Sequence, residues 1–379
     1  MVSTSTEHPS IRRPLSRSRK LCYSLIATAL AALLLEGASS TAVVVYKMVT
    51  APRLAERLHT EYDPQLGWIN KADFSGRHLY GPDRHLHTNA QRFRDTEPLF
   101  KAAPANRVRV VCSGDSFTLG YGVGDPDTWC VQLEKCDARL QTVNLGQGGY
   151  GVDQAYLWYQ RVEPHYEHAI HLFAFITEDF RRMANDTFVG YGKPVLSLEG
   201  DRLRTGNVPV PRTAYRLASL VRNGNLLSEL NSVRVARRLL WGKPHVPTAP
   251  EVDANSRRVA PRIFAELARQ HERNGRLFVL VHLPTKADLL RRSSTWREFL
   301  SRLANENGWN YWYLGDELAA LPRDEIEALF LGNEVPYLAA AGHYSAPGNR
   351  RIATALYARL ADHPDVRRRL QAAQQHGSN

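Results

Sequence analysis

Ser116 is the residue in this chain best placed to act as a nucleophile. It lies in Arg107–Gly120, where the apolar run Val108, Val110, Val111 and Cys112 gives way to Ser113-Gly114-Asp115-Ser116 and then Phe117-Thr118-Leu119-Gly120. That order reads as a buried strand entering a tight turn, which would lift the Ser116 hydroxyl out of the sheet edge and within reach of a substrate. A serine hydroxyl is a poor nucleophile until a base removes its proton, and a histidine is well matched to that task at neutral pH. One stands on a loop late in the chain, in Gly342-His343-Tyr344-Ser345-Ala346-Pro347, just ahead of an amphipathic helical pattern. A third segment, Val143-Asn144-Leu145-Gly146-Gln147-Gly148-Gly149-Tyr150-Gly151-Val152-Asp153-Gln154, is a strand ending in a glycine-rich turn. Such a turn can aim backbone N–H groups at an oxyanion. A lone Gly-Asp-Ser is simply what turns are made of; the three segments together carry the chemistry.

In this order and at these separations the segments resemble the SGNH/GDSL hydrolase superfamily. Tyr62-Asp63-Pro64-Gln65-Leu66-Gly67-Trp68 and Asn89-Ala90-Gln91-Arg92-Phe93-Arg94 resemble the lead-in of its membrane-anchored bacterial members, so the resemblance spans roughly residues 60 to 360. It implies a flavodoxin-like three-layer α/β/α sandwich with a mostly parallel sheet. It also implies Ser116 as nucleophile, His343 as general base, and the Ser116 and Gly149 amides as oxyanion donors, with Asp115 and Asn144 as further site positions. Two positions depart from the pattern. The aspartate expected two or three residues before the histidine is replaced by Ala341 or Ala340. A backbone carbonyl, or a carboxylate from elsewhere such as Asp316, Glu334 or Glu178, would then have to orient the imidazole. In Phe173–Phe180, the position of the asparagine that donates to the oxyanion holds Glu178. An ionised carboxylate only accepts hydrogen bonds, so Glu178 must be protonated or turned away. Asp179 keeps its acid and would cap or brace the site. These departures set an active serine esterase or acyl transferase against a binding protein that keeps the fold and has lost the hydrolysis.

The elements that must position these residues follow from hydrophobic periodicity. It predicts a strand at 107–112, a helix near 127–138, a strand at 140–145, a helix near 152–161 and a strand at 169–176. Further on it predicts a helix near 252–273, a strand Leu277–Leu283, a helix near 293–307, a short strand Asn310–Leu314 and a closing helix near 347–360. Strands alternating with helices argue for a parallel sheet wound with helices. Residues 185–250 interrupt this as an insertion over the site, a β excursion over Lys193–Pro211 and then one or two helices over Ala214–Trp241. The domain plan is therefore a basic cytoplasmic tail (1–20), a signal anchor or signal peptide (21–46), a stalk and irregular cap (47–105), the hydrolase-type domain (106–365) and a polar tail (366–379).

The chain has 379 residues, 43% of them hydrophobic and 23% charged, which suits one large globular α/β domain with a terminal appendage. Arg12, Arg13, Arg17, Arg19 and Lys20 precede the apolar run Leu21–Leu35, the pattern of an export or anchoring signal. Continued to Tyr46, across Glu36, the run reaches the ~20 residues a membrane span needs. A transmembrane helix with its N-terminus inside is the first expectation. Ala38 and Ser40, small residues at a candidate cleavage site, support a cleaved signal peptide instead. Either places the main domain outside the cytoplasm, in the periplasm if the helix anchors it to a bacterial inner membrane. Of the net charge of +11, five basic residues precede the apolar run and the rest are interspersed with acids, so no nucleic-acid partner is expected. His78, His85 and His87 have no cysteine or carboxylate cluster at ligand spacing, so no metal is expected. The glycines at 146–151 follow no phosphate-loop or dinucleotide fingerprint, so no cofactor is expected either. The expected partners are the membrane and an acylated carbohydrate or other ester. Acetyl and polysaccharide come only from analogy with exported relatives, and a membrane-acting lipase is a third reading.

Overall fold

The computed structural model describes residues 16–50, 56–211, 230–240, 249–291 and 295–377. They belong to two compact units, Met1–Pro52 with Tyr215–Val246, and Arg53–Ala214 with Pro247–Asn379.

The larger unit is built on five parallel strands: β1 (Val108–Ser113), β2 (Leu140–Asn144), β3 (Ile170–Phe175), β4 (Leu277–His282) and β5 (Asn310–Tyr313), in spatial order β5-β4-β3-β1-β2. In register, Cys112 of β1 lies opposite Asn144 of β2 and Leu172 of β3. This is the flavodoxin-like doubly wound order. Its main helices are α1 (Ser116–Leu119), α2 (Trp129–Cys136), α3 (Val152–Val162), α4 (Thr177–Arg182), α5 (Ala249–Arg273), α6 (Thr295–Asn307), α7 (Ala346–Asp362) and α8 (Pro364–Gly377).

Every residue of β1, β3 and β4 is buried, because helices cover both faces of a parallel sheet. The two-residue period of a strand then sorts side chains between two cores. Val110, Cys112, Leu172, Ala174, Val279 and Val281 pack with α2, α7 and α8, whereas Val111, Phe173, Phe175, Phe278 and Leu280 pack with α3, α5 and α6. The N-terminal cap is a hairpin, Thr60–Asp63 with Gly67–Asn70, followed by the short pair Ser75–Gly76 and Leu86–His87. It buries Leu66, Trp68 and Ile69 in the second of these cores, joined there by Phe93.

Two expectations change. The polar tail expected from residue 366 is helical to Gly377, and Val366, Leu370 and Ala373, spaced as one helical face, are buried against the first core. Its polar composition concealed a narrow apolar stripe. The insertion divides: its first part forms the hairpins Thr187–Phe188 with Tyr191–Gly192 and Val195–Glu199 with Arg202–Gly206, while Tyr215–Val246 groups with the N-terminal unit. Residues 212–229 and 241–248, where most of the predicted Ala214–Trp241 helix falls, lie outside the described residues.

The smaller unit holds the helix Arg17–Thr50, whose 34 residues extend about 51 Å at 1.5 Å per residue, against a hydrocarbon core of about 30 Å. It is the one described helix long and apolar enough to cross a membrane, and Leu21, Leu25, Leu30, Leu33, Leu34 and Leu35 are exposed along it. It begins inside the segment expected as a tail. Glu36, the acid within the apolar stretch, accepts the Ser232 N–H at 3.1 Å and the Ser40 hydroxyl at 2.8 Å, and Ser40 Oγ accepts the Asn231 N–H at 3.1 Å. Glu36 therefore caps the helix Asn231–Leu240, whose first amides would otherwise lack acceptors.

A buried polar cluster sits beside β3. The His171 Nε2 meets the Ser113 hydroxyl at 2.6 Å, its Nδ1 meets His271 Nε2 at 3.1 Å, and the Tyr159 hydroxyl lies 2.8 Å from His271 Nε2 and 3.0 Å from His168 Nε2. Burial is the main cause that holds His168 down to about 3 and His271 to about 4, from an ordinary 6.5, and that drives His171 well below its usual range. These rings stay neutral in the folded chain while the unfolded chain takes up protons below pH 6.5. Their contribution is thus complete above that pH and is lost as the pH falls toward 4 and below. Urea unfolding should show a clearly lower midpoint at pH 4.5 than at pH 7, with a smaller difference in His271→Gln. Equal pH differences in the two proteins would mean that the cluster is not the source.

Candidate active site

β1 ends at Ser113, and the chain turns through Gly114 and Asp115 into α1, which begins at Ser116. Gly114 is required here, since a Cβ would lie 2.6 Å from the Ala174 carbonyl oxygen of β3. Asp115 is the N-cap, its Oδ1 accepting the Phe117 N–H at 2.8 Å. That cap places Ser116 at the first helical position, where an N–H has no intrahelical acceptor. Arg94 seals the other end of α1, donating from Nη1 to the Leu119 and Gly120 carbonyls at 2.6 Å each and from Nη2 to the Val123 carbonyl at 2.7 Å. The strand and turn are as the sequence predicts, but the short helix α1 and the buried hydroxyl are not. Ser116 is only 3% exposed, because the rings of Phe117 and Tyr121, 4.5 and 5.3 Å from the imidazole, pack His343 against it.

His343 Nε2 lies 2.7 Å from Ser116 Oγ, and its Nδ1 lies 3.2 Å from the Ala340 carbonyl oxygen. The same carbonyl accepts the His343 backbone N–H at 3.1 Å. The backbone therefore orients the ring, with the proton assigned to Nδ1 and a lone pair of Nε2 facing the hydroxyl. The carboxylates considered from the sequence are engaged elsewhere: Asp316 with Arg297 at 2.8 Å, Glu334 with the Gly332 N–H at 3.0 Å, and Glu178 with Arg181 at 3.1 Å. Part of the His343 surface remains reachable, yet desolvation by the packed rings is the main cause that brings its pKa down to about 4. The charge of Asp115 opposes this and that of Arg182 adds to it. At neutral pH the ring is neutral and able to take the Ser116 proton.

The glycine turn after β2 is held from two sides. Asn144 Oδ1 accepts the Gly146 N–H at 2.9 Å, and its Nδ2 donates to the Thr118 carbonyl at 2.8 Å, tying the turn to α1. From the cap hairpin, Trp68 Nε1 donates to the Gly148 carbonyl at 2.7 Å, the Asn70 N–H donates to Gln147 Oε1 at 2.8 Å, and the Tyr150 hydroxyl donates to the Trp68 carbonyl at 2.5 Å. Gly149 has φ of +74°, and a Cβ there would come within 2.5 Å of the Phe188 ring. Asn144 is thus a brace. Trp68, Asn70, Arg94 and Gln147 brace the same two turns and were missed as individuals, although Trp68 and Arg94 lie in the lead-in segments whose resemblance was the available signal.

At the start of α4, Glu178 faces solvent with 47% of its side chain exposed. Asp179 is buried, its Oδ2 accepting the Ile176 N–H at 3.0 Å and its Oδ1 accepting from Arg182 Nη1 at 2.7 Å. Burial, and next the charge of Asp115, raise the Asp179 pKa well above the usual carboxylate range, with Arg182 opposing. His78, Asp83 and His85 form a cluster with ligand-type atoms within 4.8 Å of one another. The Asp83 carboxylate thus joins histidines for which the sequence showed no carboxylate partner, and within the cluster His78 Nδ1 accepts the Asp83 N–H at 3.0 Å and His85 Nδ1 accepts the His78 N–H at 2.9 Å.

No family model and no curated protein matches this chain. Among solved structures it is similar to a lipolytic protein of the G-D-S-L family from Desulfitobacterium hafniense, with 15% identity over 66% of this chain and 99% of the other and a TM-score of 0.36. It is similar also to a lipase/acylhydrolase from Enterococcus faecalis, with 12% identity over 67% and 95% and a TM-score of 0.32. A third is an acetyl xylan esterase, with 11% identity over 66% and 99% and a TM-score of 0.35.

Proposed function

We propose that this protein is a serine esterase or acyl transferase of the SGNH/GDSL type. The observation that carries this reading is the 2.7 Å contact between His343 Nε2 and Ser116 Oγ. As His343 takes the proton, Ser116 Oγ attacks the ester carbonyl and forms a tetrahedral intermediate. Its oxyanion would be received by the Ser116 and Gly149 amides. Collapse expels the alcohol, which takes the proton from His343, and leaves an acyl-serine. Water or a second hydroxyl, deprotonated by the same imidazole, then attacks the acyl carbon, and the departing Ser116 Oγ takes that proton back from His343.

A Ser116 that is 3% exposed among Phe117, Tyr121 and His343 favours a small acyl group, acetyl above all, over a long chain. The acceptor we place with it is an envelope or secreted polysaccharide. The helix Arg17–Thr50 is read as a signal anchor, with the sandwich in the periplasm. Recovery of full-length protein in carbonate-washed membranes supports that reading, and a shortened soluble form would replace it with a cleaved signal peptide.

The absence of the acid and amide of the family pattern favours a second reading, a carbohydrate-binding protein without turnover. Hydrolysis of p-nitrophenyl acetate by the detergent-solubilised full chain separates the two. Turnover in the parent and its loss to background in both Ser116→Ala and His343→Ala support the esterase. No turnover in a folded parent, with glycan binding that survives Ser116→Ala, would favour the binding protein. For the enzyme, the acid limb of kcat/KM should lie near pH 4 rather than 6.5, because the low pKa of His343 keeps the base neutral well below its ordinary value. Placing a carboxylate beside the ring, as in Ala341→Asp, should move that limb upward and raise kcat. An unmoved limb would show that residue 341 does not reach the ring.

A further inference from the structure

We propose that Arg182 is a positioning residue of this site, clamping the nucleophile turn, the oxyanion turn and α4 together and balancing the buried charge of Asp115 and Asp179. The inference rests on the esterase reading above. Arg182 Nη1 donates to Asp179 Oδ1 at 2.7 Å, to Asp115 Oδ2 at 3.1 Å and to the Tyr150 carbonyl at 3.1 Å. Each acceptor belongs to a different wall of the site: Asp115 immediately precedes the nucleophile, Tyr150 immediately follows Gly149, and Asp179 lies in the first turn of α4. The guanidinium also lies 5.2 Å from the centre of the Phe188 ring, the ring that a Cβ on Gly149 would strike, so the clamp continues onto the oxyanion glycine. Arg182 Nε is buried with no partner among the described residues, so its N–H remains a further donor.

The charge balance makes this arginine more than a fastener. Asp115 and Asp179 are both buried, and Arg182 is the cation bonded to both. Without it, two carboxyl groups in a dry site must share a proton, and their negative charge acts unopposed on the imidazole. The groups facing His343 are Ser116 and Asp115 from the nucleophile turn, Tyr121 beyond α1, and the Ala340 carbonyl in its own loop, with Arg182 and Asp179 of α4 behind Asp115. Among these only Arg182 is a permanent cation.

The test uses the full chain in detergent and the variants Arg182→Met, Arg182→Lys and the charge-balanced double variant Arg182→Met with Asp179→Asn. kcat and KM for p-nitrophenyl acetate are measured beside an NMR titration of His343. In Arg182→Met, kcat should fall about a hundredfold, what a ~1 Å misplacement of the reacting groups costs, with KM nearly unchanged. The His343 midpoint should rise by roughly one pH unit. Arg182→Lys keeps the charge without the planar fork, so it should hold the midpoint and recover only part of kcat. The double variant should stay slow. Parental kcat in a folded Arg182→Met, full recovery in the double variant, or an unmoved His343 midpoint would each overturn the proposal. Failure of the esterase reading would show separately, as a parent without turnover, and the NMR titration still decides the role of Arg182 because it needs none.

Discussion

The hydrogen bond between His343 and Ser116 joins residues 227 positions apart at 2.7 Å, and the rest of the architecture is what makes so short a contact available. Ser116 opens the one-turn helix α1 and His343 sits on a loop, and neither holds such a distance by itself. Ser116 is placed by β1, which is buried on both faces and cannot slide without exposing one set of side chains or burying the wrong one. His343 is placed by pairing of its loop with Leu331, whose N–H donates to the His343 carbonyl at 2.8 Å and whose carbonyl accepts the Gly342 N–H at 2.8 Å. The Ser116 segment leaves the carboxyl end of β1 beside β3, the topological switch point at which open α/β sheets form their crevices.

Around that contact, backbone groups do much of the work that side chains do in the family pattern. The imidazole is oriented by a carbonyl, a neutral acceptor that fixes the tautomer and stabilises the charged ring less than a carboxylate would. The glycine turn after β2 is too crowded for side chains, so its shape is imposed from outside, by Asn144 on one flank and by Trp68 and Asn70 on the other. The hairpin strand Gly67–Asn70 that supplies these contacts is buried throughout. The charged groups nearest the nucleophile, Asp115, Asp179 and Arg182, form one buried network in which no member can be changed without altering the field at the other two.

The N-terminal unit obeys the same economy of polar groups. Glu36 stands within an apolar helix, where an unpaired carboxylate would be costly, and it is paired with the first amides of the helix Asn231–Leu240. The residue that interrupts the apolar run in the sequence is therefore the one that receives the second helix.

The sequence by itself determined the alternation of strands and helices, because two-faced burial writes near-continuous apolar runs for β1, β3 and β4, and the period of an amphipathic helix is visible between them. It also singled out Ser116 and His343 as candidates, since a strand-to-turn hydroxyl and a loop histidine are local signals, and the fold brings the two side chains within 2.7 Å. Other features needed the tertiary structure. That Ala340 rather than Asp316, Glu334 or Glu178 orients the ring depends on which groups converge in space, and a backbone carbonyl leaves no mark in composition. The burial of Ser116 arises from Phe117, Tyr121 and His343 meeting over it, and the role of Arg182 arises from three acceptors on three segments. The α8 helix was hidden because Val366, Leu370 and Ala373 are too few to outweigh their polar neighbours until a core is present to receive them. Local periodicity records what each segment must bury; which distant groups meet is decided only when the sheet brings the loop ends together.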